Sequence, residues 1–145
     1  MRHRLIFLIF ILLFFLGHNT YSQEVHLKIY NIHSATGVMC VGVFDSEENF
    51  RDEKPYLHMI VKKTTMENNE MALELKLKPG TYGITVLDDE NSDGKMNWKL
   101  LAIPREGFGF ADYYHTGLKK PRFHKFSFTF LPDQKKCMIV KMRYF

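Results

Sequence analysis

Between Leu87 and Trp98 the chain reads LDDENSDGKMNW, setting Asp88, Asp89, Glu90 and Asp93 around Asn91 and Gly94. Oxygen-bearing side chains recur at every second place, Asp89, Asn91 and Asp93, and Gly94 supplies the bend that follows. With a carbonyl from Lys95 and the amide of Asn97, that is the ligand order of a calcium loop, in which alternate oxygens surround a hard cation. The twelfth place holds Leu100 instead of a bidentate glutamate, so two ligands and one charge are missing. The same residues also suit a hairpin turn, since Asx side chains hydrogen-bond their own backbone and Asp-Gly favours tight turns. The candidate metal ligands are therefore Asp89, Asn91, Asp93, Lys95 and Asn97, with calcium as the candidate cofactor and a solvated turn as the rival. Four crowded carboxylates repel one another, and Lys95 and Lys99 are the nearby cations able to relieve them.

Other chemistry is thinner. Glu106, in PREGFGF, can act as a general base, pair with Arg105 or cap backbone amides. Gly107 and Gly109 are no dinucleotide fingerprint, because no third glycine or helix follows. His26, His33, His58, His115 and His124 form no i, i+2 or i, i+4 pair, so a zinc site has no support in spacing. No Gly-x-Ser-x-Gly elbow is present. The basic run Lys119–Lys125 alternates with Pro121 and Phe123, a pattern that a solvated strand face explains; an anionic glycan or a lipid headgroup is the functional option.

The elements that must carry these residues alternate with period two. Val25, Leu27 and Ile29; Met39, Val41 and Val43; Met71, Leu73, Leu75 and Leu77; Tyr82, Ile84 and Val86; Phe126, Phe128 and Phe130; and Met138, Val140 and Met142 each mark the core face of a strand. Residues 57–65 make a weaker seventh. Ala35-Thr36-Gly37, Met66–Glu70, Lys78-Pro79-Gly80 and Leu131-Pro132-Asp133 punctuate them, with Gly80 expected at positive φ. Ser46 is placed to cap one short helical turn. The pattern predicts an all-β fold: a single β-sandwich of about seven strands, Ig-like or transthyretin-like, with one long ordered loop over 88–124. A connection of that length usually carries structure or function of its own.

The amino terminus addresses the compartment. Arg2 and Arg4 precede an unbroken apolar run, Leu5–Leu16, and then a short polar stretch with Thr20 and Ser22. This is the pattern of a secretory signal peptide, residues 1–22, with cleavage near Ser22. The run is shorter than the roughly 20 residues of a membrane span. The expectation is a 23–145 domain, exported to the periplasm or the extracellular space, with no stable membrane span after cleavage. Loss of the two arginines lowers the formal charge from +4 to +2, and export makes nucleic acid an unsuited partner. Cys40 and Cys137 are free to bridge in such a compartment or to serve as small strand residues; both readings stay open.

Three ordered stretches, LKPGTYGITVLDDENSDGKMNW (77–98), AIPREGFGFADY (102–113) and KKPRFHKFSF (119–128), resemble the DUF2141 family of exported bacterial proteins, and GVMCVGVFDSEENF (37–50) fits the same pattern. Asn97 departs from it where the family often has aspartate, as does Ala111-Asp112 in place of a serine-asparagine pair. The resemblance implies fold and export and no particular activity. The Pro-Gly-Thr-Tyr entry to a strand is also similar to that of transthyretin-like and carboxypeptidase-regulatory sandwiches, which are mostly accessory or binding modules. The expected function is accordingly a non-catalytic binding or accessory protein, with a glycan, a lipid or a cell-envelope protein as partner. The alternative is a hydrolase-type enzyme that uses Glu106 with Asp89 or Asp93 and His115.

Overall fold

The computed structural model describes residues 23–100, 103–132 and 134–145. The signal peptide expected over 1–22, and Asp133 of the last expected turn, lie outside the described residues. Eight strands form: β1 (Gln23–Tyr30), β2 (Val38–Phe44), β3 (Leu57–Lys62), β4 (Glu70–Leu77), β5 (Gly80–Asp89), β6 (Gly107–Phe110), β7 (Ser127–Phe130) and β8 (Lys135–Lys141). One sheet has the order β4-β1-β8, with β1 antiparallel to β4 and parallel to β8. The other runs β3-β2-β5-β6, and β7 pairs with the first half of β5 while β6 pairs with the second.

The apolar alternation decides how the sheets meet. Val25, Leu27 and Ile29 of β1, Met71, Leu75 and Leu77 of β4, and Met138 and Val140 of β8 close on Met39, Val41 and Val43 of β2 and on Ile84 and Val86 of β5. This is the face-to-face packing of a sandwich, each strand giving alternate residues to the core. The all-β expectation holds, with one strand more than expected. The addition, β6, lies inside the stretch read as loop, and its glycines are the reason it fits. A Cβ on Gly109 would stand 2.4 Å from Val140, and one on Gly107 would stand 2.2 Å from the Tyr144 ring. Without side chains there, β6 closes against the end of the other sheet, where Phe108 and Arg143 exchange backbone hydrogen bonds of 3.0 and 2.8 Å.

Two local expectations need correction. Gly80 does not take positive φ; among the described glycines only Gly37 and Gly94 do. Gly80 instead opens β5, where a Cβ would meet the Tyr82 ring at 3.0–3.1 Å. Phe126 does not share a strand face with Phe128 and Phe130. A 3-10 turn over residues 123–125 ends at Phe126, which therefore joins a second cluster, Phe44, Phe50, Phe110 and Phe123, on the outer side of the five-stranded sheet. The short helix α1 (Glu47–Arg51) forms as expected: the Ser46 hydroxyl accepts from the Asn49 N–H at 3.2 Å.

Candidate functional site

The acidic stretch is divided by the sheet. Asp88 and Asp89 are the last residues of β5, so their side chains leave on opposite faces. Asp88 turns between the sheets and meets Lys63, in a 3-10 turn after β3; both side chains are almost wholly buried, at 0% and 1% exposure. The Lys63 ammonium also donates to the Ser34 and Thr36 carbonyls at 3.0 and 2.6 Å, which satisfies all three of its donors. The Tyr144 hydroxyl donates to the other Asp88 oxygen at 2.5 Å, and burial with this bond raises the phenol above its ordinary range. The cation that relieves Asp88 is thus Lys63, not Lys95 or Lys99; Lys99 donates to the Phe145 carbonyl at 3.1 Å.

Asp89 turns outward and is also buried. Its carboxylate accepts the backbone N–H of Asp93 at 3.1 Å and of Gly94 at 2.8 Å, and the Cys40 thiol lies 3.7 Å away. Burial first, and then the Asp89 charge, push that thiol up to about 11. Cys40 and Cys137 are both free. Beyond the strand, Asn91 donates to Asp93 at 3.1 Å and to the Asn97 side-chain oxygen at 2.6 Å, and Asn97 donates to Asp93 at 2.9 Å. The Asn97 bond is the main cause that holds the Asp93 carboxyl below its usual range.

Glu106 is the buried carboxylate beneath this loop, and it accepts the Asn97 N–H at 2.9 Å. Burial is the first cause that raises its carboxyl above the usual range; the Asp89 and Asp93 charges add to it, while amide donors oppose it. Of the roles open to Glu106, the structure shows amide capping. The fold therefore gathers Asp89, Asn91, Asp93, Asn97 and Glu106 around one loop, with Asp89 and Glu106 turned to backbone amides. Among the described residues, no group of three or more His, Cys, Asp or Glu side chains is arranged to hold a metal ion. His115 is held elsewhere, by the Lys119 carbonyl at 2.7 Å and the Tyr113 hydroxyl at 3.4 Å, and no hydrogen bond joins it to Asp89, Asp93 or Glu106.

The strand register places a second feature beside the loop. On the outer face of the five-stranded sheet, Cys40, Leu87 and Phe108 stand in one row across β2, β5 and β6, and Gly42, Thr85 and Phe110 in the next. These six residues floor a groove of about 430 Å³. One wall is made by Met96, Trp98 and Pro104; the other is the 111–122 segment, through His115, Leu118 and Lys119. The first wall is braced by the Lys99 and Arg105 amides, which bond Ile103 and Asn97 at 2.7 and 2.9 Å. The second is tied to α1: Glu47 accepts the Phe123 N–H at 2.8 Å, and the Lys120 ammonium reaches the Phe50 carbonyl at 2.7 Å. The 119–125 run is thus a strap across the aromatic cluster, not a strand face. Sequence reading missed this floor, although Cys40, Gly42 and Phe44 alternating with Met39, Val41 and Val43 are the signal of a strand covered on both faces.

Residues 27–138, most of the chain, match the family model described as "Uncharacterized protein conserved in bacteria (DUF2141)". The chain belongs to that family, as its three ordered motifs indicated. No curated protein and no solved structure matches it.

Proposed function

We propose that the protein is an exported, non-catalytic binding module whose ligand lies in the groove over β2, β5 and β6. The observation that carries this reading is the groove itself. Its volume, about 430 Å³, is that of a small-molecule pocket. Its floor is apolar and aromatic, and its walls are two segments braced on a rigid sheet, which is how loops on a scaffold present a site. The export reading rests on the Met1–Ser22 pattern; among the described residues no helix is long and apolar enough to cross a membrane. A lipid suits an apolar floor better than a glycan or a cell-envelope protein does. The hydrolase alternative would need Glu106, with Asp89 or Asp93, to act together with His115. Asp89 and Glu106 commit their carboxylates to backbone amides, and Asp93 accepts from the Asn91 and Asn97 side chains and the Lys95 N–H. The test is titration with the neutral, environment-sensitive dye Nile red. Saturable emission that Thr85→Phe abolishes, with an unchanged circular dichroism spectrum, supports the groove; emission equal in both proteins, or none, contradicts it.

A second reading concerns the loop wall. The side chains of Asn91, Asp93 and Asn97 converge: the Asn91 amide donates to Asp93 and to the Asn97 oxygen, and the Asn97 amide donates to Asp93, over 2.6–3.1 Å. A cation that displaced the two amide donors would find the Asp93 carboxylate and the Asn97 oxygen at the centre of a weak calcium site. With Asp89 and the Lys95 carbonyl, calcium would brace the wall that bears Trp98. Thermal melts with calcium and with chelator test it.

A further inference from the structure

We infer that the groove's ligand is a single-chain amphipathic anion, its acyl body on the aromatic floor and its carboxylate head at Lys119. This deepens the binding reading above and rests on it. The lining holds three lysines, Lys95, Lys119 and Lys120, and one acidic residue, Glu53. Lys120 is already committed: its ammonium donates to the Phe50 carbonyl at 2.7 Å and to Glu53 at 3.2 Å, and stands 4.4 Å from the Phe50 ring centre. That pairing also engages Glu53, the one lining carboxylate among the described residues. Together with the Asn97 bond, the Lys95 charge acts on the Asp93 carboxylate and helps to hold it below its usual range, so a counter-charge stands near Lys95. Lys119 has no side-chain partner among the described residues; its carbonyl, not its ammonium, is what His115 engages.

A groove with a Phe108–Phe110 floor and, among the described residues, one lysine at its rim without a counter-charge favours an apolar body with a single negative end. It disfavours the same body with a positive end, because juxtaposed like charges repel. Trp98, the sole tryptophan of the chain, lines the other wall and reports occupancy of the trough directly.

The test follows Trp98 emission of the secreted protein during titration with dodecanoate and with dodecyltrimethylammonium, two molecules that share a tail and differ in the sign of the head. The expected result is a saturable change with dodecanoate at a Kd about tenfold or more below that of the cation. Lys119→Glu, with Lys119→Ala as a milder second variant, should abolish the preference while tail binding persists. Equal affinity for the two heads, or a preference that survives both variants, overturns the inference and leaves the groove as a binding site. No saturable change with either molecule overturns the groove reading as well.

Discussion

Asp88 and Asp89 are neighbours in the chain, and β5 sends them to opposite faces of the same sheet. Asp88 enters the space between the sheets to meet Lys63, and Asp89 gathers the amides of the loop that walls the groove. One dipeptide thus anchors the rim of the sandwich and fixes the entry to the candidate site.

The Lys63–Asp88 pair should be costly to break from one side. Removing one partner of a buried pair leaves an uncompensated charge, at a cost of roughly 3–5 kcal/mol. Lys63→Met is therefore expected to lower unfolding free energy by about that much, measured by urea denaturation. Lys63→Met with Asp88→Leu should recover a large part of the loss. A single variant as stable as the natural chain would show that the pair does not hold this rim.

Glu106 supplies a pH dependence whose sign is fixed by its raised carboxyl. The folded protein holds the proton above the ordinary value of 4.5, so in the window above 4.5 the native state binds more protons than the unfolded chain. The contribution of Glu106 to stability is greatest below that value and falls as pH rises through the folded pKa. Glu106→Gln keeps an acceptor for the Asn97 amide and removes the charge. Its stability relative to the natural chain should increase from pH about 4.5 towards neutrality; denaturation curves that stay parallel across this range would contradict the assignment.

Gly83 bears the aromatic cluster. A Cβ there would stand 2.5 Å from the Phe126 ring and 2.8 Å from the Phe123 ring. Gly83→Val should therefore destabilise by about 1–3 kcal/mol through overpacking, with a changed near-ultraviolet circular dichroism spectrum. An unchanged spectrum and melting point would mean that the rings give way freely.

Calcium, if it braces the loop, should raise the melting temperature. At a Kd of about 10⁻⁴–10⁻³ M, calcium at ten times Kd stabilises by roughly 1.4 kcal/mol. The informative variant is Asp93→Asn, since Asp89→Ala would also strip the Asp93 and Gly94 amides of their acceptor and destabilise the loop without any metal. A calcium-dependent shift lost in Asp93→Asn supports the site; equal midpoints in calcium and chelator reduce the loop to a turn.

Most of the fold was legible because one face of each strand carries an unbroken apolar alternation, as in Met71 to Leu77 and Met138 to Met142. β6 was not, because Gly107–Phe110 is four residues long and two of them are glycines that pack by lacking a side chain. Lys63 was hidden for a different reason: its partner, Asp88, is 25 residues away and reaches it only through the β2-mediated register of β3 and β5. The acidic loop stood out by composition, yet the division of Asp88 from Asp89 depends on where β5 ends. The groove had one local signature, the apolar residues on both faces of β2; the rest of its floor is assembled from β5 and β6, which are separated from β2 in the chain.

The most direct test of the binding reading is an amide shift map by heteronuclear NMR during titration with dodecanoate. The largest, saturable shifts are expected at Cys40, Gly42, Thr85, Leu87 and Phe108, with β1 and β4 unmoved. Shifts concentrated on the three-stranded sheet, or spread without saturation over the surface, would contradict it.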